Sequence, residues 1–323
     1  MDMVTAGDGG VRRVVRVDHA SCLVTDPAGP VRARAPMPVA VGDWVEVSGG
    51  PDPAVTAVLA RRTAVTRRDP TGQTQVLAAN VDLVLVTAPA DRLSLARVER
   101  EVTIGWDSGA EPVVLLTKSD LDDGSLAAAL AERVMGVDIL RVSSVLGQGL
   151  DDLRKRLAPD RTAVLLGPSG AGKSTLVNGL LGQDVTPTGA VRESDHRGRH
   201  VTTARHLHAV PGGGSLIDTP GLRSLSLAVD AGALGAAFPD ILELAASCRF
   251  RDCGHDREPG CAVLAADGSG GLPPGRLASY RTLVRELEHE ARRNDPRAAR
   301  EAEAVWRQRR LDGRRLFKER GYR

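Results

Sequence analysis

The sequence predicts an α/β chain in three parts: an N-terminal β-barrel, a central layered sheet carrying helices, and a small C-terminal helical unit built around a metal. Three observations carry this reading. Between Val11 and about Thr66 the apolar residues fall in short runs separated by turns, with no helical period. From Val81 onward, strand-like and helix-like segments alternate, the pattern of a layered sheet. Near residue 250, three cysteines and one histidine crowd into fourteen positions. A length of 323 residues suits two or three domains, and the expected boundaries are 1–70, 71–230 and 231–323.

Charge and composition exclude several classes. Lys and Arg number 43 against 41 Asp and Glu, a net charge of +2, so any nucleic-acid contact must come from local patches. Aromatic residues make up only 2% of the chain, which limits base stacking but not phosphate binding. Met1 to Thr5 show no basic segment leading into an apolar run. No signal peptide is therefore expected, and a cytoplasmic location is. No run approaches the roughly 18 apolar residues of a membrane span.

In the first part, Val14-Val15-Arg16-Val17, Ser21-Cys22-Leu23-Val24 and Asp43-Trp44-Val45-Glu46-Val47 read as strands, and Gly49-Gly50-Pro51 breaks the last. A small antiparallel barrel of the OB type fits, with a β-rich regulatory domain as the plainer alternative. Cys22 is expected in its core. Thr66 to Gln75 reads as a polar, basic linker. Strands are then expected at 81–87, 111–117, 137–142, 162–166 and 215–218. Helices are expected at 93–105, 126–135, 150–157 and after residue 175.

The strand Thr162 to Leu166 runs into Gly167-Pro168-Ser169-Gly170-Ala171-Gly172-Lys173-Ser174-Thr175, and a helix follows. Strand, glycine loop and helix are the context in which G-x-x-x-x-G-K-[ST] cradles phosphate. Backbone N–H groups and the helix end face the phosphate oxygens. Lys173 is expected on the β- and γ-phosphates, and Ser174 on Mg²⁺. Thr117-Lys118-Ser119-Asp120 closes an earlier strand. There an aspartate can accept from the two N–H donors that guanine has and adenine lacks, while a lysine stem covers the base. Thr117 stands where asparagine is usual, so a hydroxyl remains and the amide tether to the P-loop is gone. Ser143-Ser144 suit a second base-facing loop, and Asp218-x-x-Gly221 suits a γ-phosphate sensor.

The base-reading segments precede the P-loop, which reverses the usual order and implies a circularly permuted domain. Whatever follows residue 230 then hangs from the γ-phosphate sensor, an element that moves on hydrolysis. Leu222 occupies a place where a water-orienting glutamine is common, so slow intrinsic hydrolysis is expected. His200 is the candidate in this chain for that role, and Thr202 or Thr203 would complete the Mg²⁺ shell. Cys248, Cys253, His255 and Cys261 make a closed set of four ligands, as one structural zinc ion requires. Leu277, Tyr280, Leu283, Val284, Leu287 and Ala291 fall on one helical face. Residues 304–323 carry eight Arg or Lys and two Asp or Glu, a candidate contact for a phosphate backbone.

Together these residues resemble the circularly permuted ribosome-small-subunit-dependent GTPase A family (RsgA/YjeQ), over about residues 11–320. The features that carry the resemblance are the β-rich N-terminal segment, Ala78-Ala79-Asn80-Val81-Asp82, Thr117 to Asp120, Gly167 to Thr175, Gly198-Arg199-His200, Asp218 to Gly221, and C-x4-C-x-H-x5-C. The resemblance implies a central circularly permuted P-loop GTPase domain, an N-terminal OB-type barrel and a C-terminal zinc-binding helical domain. It also implies GTP hydrolysis stimulated by the 30S ribosomal subunit and its rRNA during late maturation. GTP/GDP with Mg²⁺, one zinc ion and a monomer with no membrane contact are the corresponding expectations. Val201 departs from the family's usual run of three threonines. A nucleotide-gated RNA-binding module, or a permuted GTPase for another ribosomal particle, is the alternative.

Overall fold

The structure, a computed structural model, describes residues 9–68, 73–157, 159–184, 205–218 and 231–294. Strands β1 (Gly10–Asp18), β2 (Ser21–Val24), β3 (Val31–Arg34), β4 (Trp44–Val47) and β5 (Val55–Val58) build the N-terminal part. Burial alternates along β2 and β4, so one face of each strand is apolar and inward. Val14, Cys22, Val24, Ala33, Val45, Val47 and Val55 form a core of their own. Within this part β1 joins two strands: Gly10 to Arg13 pair with β4, and Val14 to Asp18 pair with β2 across a bulge. A parallel bridge between Arg34 and Ala54 joins the end of β3 to the start of β5, which closes the ring into a barrel.

The stretch expected as a linker is instead part of a hairpin, β6 (Ala64–Arg68) and β7 (Thr74–Ala79). Its ends supply the driving force, because Val65, Leu77 and Ala78 are buried. Arg67 and Gln75 bond across the exposed side at 2.9 Å, and such polar residues conceal the strand in the sequence.

The central sheet comprises β8 (Leu83–Pro89), β9 (Glu111–Thr117), β10 (Asp138–Val142), β11 (Thr162–Leu166), β12 (His206–Ala209) and β13 (Ser215–Asp218). Its order is β10-β9-β8-β11-β13-β12, and only β12 runs antiparallel to its neighbour. β8 and β11 are buried along their whole length, as parallel strands covered on both faces must be. Helices α1 (Leu95–Asp107), α2 (Ser125–Arg133), α3 (Leu150–Arg156) and α4 (Lys173–Leu181) connect the strands. Alternation in β8 divides two cores: Leu83 and Leu85 meet Leu176 and Leu180, while Val84 and Val86 meet Val98 and Val102.

The barrel is sewn to this sheet. Arg16 of β1 pairs with His206 of β12, which makes one continuous eleven-stranded sheet. Asn80, at φ +52°, donates to the Gly42 carbonyl at 3.0 Å and accepts from the Arg62 N–H at 3.0 Å. Arg13 reaches from β1 to the Thr162 hydroxyl at 2.7 Å.

Helices α5 (Ala231–Ala237), α6 (Pro239–Ala245), α7 (Ala262–Ser269) and α8 (Arg276–Asn294) form the C-terminal part. Leu277 and Leu283 of α8 are buried and Tyr280, Val284 and Leu287 are partly so, which matches the expected apolar face. Phe238, Ile241, Val263 and Leu283 join the same core as Val98 and Val102 of α1. Charges are buried at this junction. Arg276 (0% exposed) donates to Glu99 (1% exposed) at 2.8 Å and to both Asp240 oxygens at 2.8 and 3.0 Å. Arg133 donates to the two Glu99 oxygens at 2.7 and 2.5 Å and to the Ser279 hydroxyl at 3.1 Å. The Arg276 guanidinium lies 4.1 Å from the centre of the Phe238 ring. No helix among the described residues is long and apolar enough to cross a membrane. The basic segment 304–323 lies outside the described residues.

Candidate nucleotide site and metal centre

The carboxyl ends of parallel strands are where open α/β sheets gather ligand groups. Here the ends of β8, β9, β10, β11 and β13 bring together most of the expected positions. The loop Gly167 to Gly172 leaves β11 and feeds directly into α4, whose first residue is Lys173. Gly167, at φ +137°, passes beside β8, and a Cβ there would stand 1.8 Å from the Thr87 hydroxyl oxygen. That hydroxyl donates to the Leu166 carbonyl at 2.8 Å and so fixes the point where the loop begins. Gly170, at φ +72°, would likewise bring a Cβ to 2.3 Å from the Arg92 guanidinium. Pro168 is half-buried, Ser169 exposed and Ala171 buried, and the Ala171 N–H returns to the Pro168 carbonyl at 3.2 Å.

Lys173 is drawn over the loop, and its Nζ donates to the Gly167 and Pro168 carbonyls at 2.8 Å each. Burial lowers its pKa, against the pull of Glu101 and Asp218. Ser174 is half-buried and Thr175 exposed in the first turn of α4. Asp218 is buried at the end of β13, the parallel neighbour of β11. A hydroxyl and a carboxylate are hard oxygen donors, a chemistry that suits Mg²⁺.

The turn Thr117 to Asp120 lies against the glycine loop from the other side. Thr117 ends β9 at 4% exposure, and its hydroxyl donates to the Ala171 carbonyl at 2.7 Å. The tether lost with the asparagine amide is thus replaced by a hydroxyl. Lys118 adopts φ +54°, and its Nζ pairs with Asp91 at 2.6 Å. Asp120 is exposed. Arg141 holds the turn by donating to the Ser119 and Asp122 carbonyls at 3.3 and 2.8 Å. Val142 pairs with Thr117 in register, so Ser143 and Ser144 follow β10 next to this turn. The Ser143 backbone exchanges two hydrogen bonds of 3.0 Å with Gln148, and its Oγ accepts from Leu146 at 3.3 Å. His200, Thr202, Thr203 and Gly221 lie outside the described residues, as does Leu222.

Two contributors escape a reading of the sequence. Asp91 and Arg92 sit in a short 3₁₀ turn after β8, and Arg92 donates to the Ser169 carbonyl at 2.5 Å. They resemble any polar turn, and their place is evident only once β8 is known to lie beside β11.

The second site is the cysteine cluster. Its four ligand atoms all lie within 4.8 Å of one another. Cys248 Sγ is 3.7 Å from His255 Nδ1 and 3.8 Å from Cys261 Sγ, and Cys261 Sγ is 3.5 Å from His255 Nδ1. These separations fit the edges of a tetrahedron with zinc-ligand bonds of about 2.0–2.3 Å. Burial pushes the Cys253 thiol up to about 12. Burial also acts to raise Cys248, yet the Val263 and Ala262 N–H groups and the adjacent thiols bring it below its ordinary value. Cys261 caps α7 by accepting the Leu264 N–H. The His255 ring lies 6.3 Å from that of Tyr280, and its carbonyl accepts from Arg281, so α8 braces the cluster.

Known proteins resemble this chain in sequence and in fold. A family model described as RsgA GTPase matches residues 58–228. The Streptomyces avermitilis protein named small ribosomal subunit biogenesis GTPase RsgA is 47% identical over 318 residues, which cover 93% of this chain and 86% of that protein. The crystal structure of YjeQ from Thermotoga maritima superposes with a TM-score of 0.62 at 23% identity, covering 86% of this chain and 98% of that one. YloQ, described as a circularly permuted GTPase, gives 0.61 at 23% identity, with 90% and 98% covered. At such identity the two solved structures establish a shared fold.

Proposed function

Since this chain belongs to the RsgA GTPase family, and so is a GTP hydrolase, we propose that it works in the biogenesis of the small ribosomal subunit. On this reading the 30S particle activates hydrolysis of GTP to GDP and phosphate late in maturation, and hydrolysis releases the protein. The observation that carries the reading is the hydrogen bond from Thr117 to Ala171. It ties a base-reading turn to a phosphate loop across a permuted chain order, an arrangement with no purpose for a plain glycine turn.

The proposed roles follow the geometry. Gly167 to Gly172 present backbone N–H groups to the phosphates, and Lys173 neutralises the charge that develops there. Asp120 reads guanine, with Lys118 over the base and Ser143 and Ser144 behind it. Ser174, one of Thr202 and Thr203, and Asp218 through water would hold Mg²⁺, which supplies further charge neutralisation between the phosphates. Gly221 would meet the γ-phosphate, and His200 would orient the attacking water. Cys248, Cys253, His255 and Cys261 would hold one structural zinc ion. The proposed functional units are 1–70 for rRNA contact, 71–230 for the nucleotide and 231–323 for zinc. The protein is proposed to act as a monomer in the cytoplasm.

Phosphate release from GTP, with and without purified 30S subunits, tests this reading. Strong acceleration by 30S and none by 50S is the expected result. Intact GTP binding without any 30S response would sink the ribosomal role and leave the nucleotide site standing.

A further inference from the structure

The 3₁₀ turn Ala90–Arg92 touches both halves of the nucleotide site. On one side, the Asp91 carboxylate takes the Lys118 ammonium at 2.6 Å. On the other, Arg92 donates to the Ser169 carbonyl at 2.5 Å. The sheet explains how one short turn reaches both. β8 runs between β9 and β11, so its carboxyl end opens between the Lys118 turn and the glycine loop. Neither Asp91 nor Arg92 belongs to a nucleotide-binding motif.

Each contact fixes something that would otherwise move. Lys118 is held at both ends, by its backbone at φ +54° and by Asp91 at Nζ. A lysine side chain gives up as much as about 2 kcal/mol of rotamer entropy when it is ordered. The ion pair orders it before any ligand arrives, so the stem is a set surface rather than a mobile arm. Arg92 acts on the loop. The phosphate-loop motif fixes glycine at Gly167 and Gly172 and leaves position 170 open. Gly170 nevertheless stands at φ +72°, and a Cβ there would lie 2.3 Å from the Arg92 guanidinium. The loop leaves room for this arginine, whose bond to Ser169 then holds the middle of the loop.

We propose that Asp91 and Arg92 are positioning residues that close the nucleotide site as one clasp: Asp91 holds the Lys118 stem where the guanine base rests, and Arg92 holds the glycine loop in its phosphate-binding shape. The proposal rests on the reading of Thr117 to Asp120 as the base-reading turn. The two residues divide the labour. Asp91 acts on the base half through Lys118, and Arg92 acts on the phosphate half through Ser169. A ligand with base and phosphates meets both, and a ligand of phosphates alone meets only Arg92.

Dissociation of N-methylanthraniloyl-GDP from the full chain tests this, with pyrophosphate as a competitor that reports the phosphate half alone. Lys118 and Asp91 are 34% and 37% exposed, so Asp91→Asn is expected to speed GDP release only about two- to fivefold. Its affinity for pyrophosphate should stay native. Arg92→Met is expected to weaken labelled GDP and pyrophosphate alike, by about five- to tenfold. Asp91→Glu keeps the carboxylate and should restore most of the slow release. In a Lys118→Met protein, which keeps a stem without its charge, Asp91→Asn should add nothing. Equal GDP release from the native protein and Asp91→Asn, or an undiminished effect of Asp91→Asn in the Lys118→Met protein, would overturn the role of Asp91. Native pyrophosphate affinity in Arg92→Met would overturn that of Arg92. An Asp120→Asn protein that binds the labelled GDP as tightly as the native chain would overturn the base-reading assignment beneath the proposal instead.

Discussion

At the scale of single residues, Thr117 shows how a departure from a motif can keep a contact with the neighbouring loop. The usual asparagine amide is missing, yet the Thr117 hydroxyl reaches the Ala171 carbonyl at 2.7 Å in a buried setting. Removing it would leave that carbonyl without its partner, a loss of about 1–1.5 kcal/mol. Thr117→Ala is therefore expected to weaken GTP and GDP binding by about five- to tenfold, and Thr117→Ser to leave it nearly native. Titration calorimetry with each nucleotide checks both variants. The glycine loop before α4 and the clustering of Cys248, Cys253, His255 and Cys261 were legible because each is local and keeps a fixed spacing. Asp91 and Arg92 were not. They make their contacts across a gap that only the sheet closes, and nothing in their immediate sequence separates them from ordinary charged turn residues.

Among elements, α1 joins the two ends of the molecule's chemistry. Just before it, Arg92 grips the P-loop at Ser169, and midway along it Glu99 enters the buried pairings with Arg133 and Arg276. Chain order suggested that the C-terminal part hangs from the γ-phosphate sensor and moves with it. The buried charges bind α6 and α8 to α1 and α2 as well, so displacement relative to α1 would have to expose Glu99 and Arg276 or leave them unpaired. Removing one member of such a network costs about 3–5 kcal/mol. Arg276→Met should lower unfolding stability by that amount in denaturant titration. Combining it with Asp240→Asn should recover part of the loss, because the carboxylate stranded by the lost guanidinium is then gone. The hairpin β6–β7 illustrates what the sequence concealed at this scale: its polar middle looks like a linker, and only its buried ends Val65, Leu77 and Ala78 reveal strands. The helices and parallel strands were readable to within about two residues, since their apolar runs are long and their turns are marked by glycine.

For the whole molecule, the cysteine–histidine cluster, α8 and α1 form one line of contact, from His255 through Tyr280 and Phe238 to Arg276 and Glu99. Removal of the proposed zinc ion should therefore loosen more than the cysteine loop. Hydrogen exchange is expected to rise through about residues 246–264 and into α8, while β8 and β11 keep their protection. The barrel is bound to the rest differently, through the β1–β12 pairing of Arg16 with His206 and the side chains of Arg13 and Asn80. That pairing has a meaning for the chain as it is being made. β1 to β5 emerge first and can close by themselves through Arg34 and Ala54. The strand that completes the outer edge of β1 follows about 190 residues later, which makes it a slow, long-range closure. Throughout that interval the nascent barrel carries an unfinished sheet edge, the kind that invites pairing with a stranger. Arg16 on β1 is the charge stationed there. Synthesis of β12 thus covers that edge, and a chain stopped before Arg205 would keep it open to aggregation.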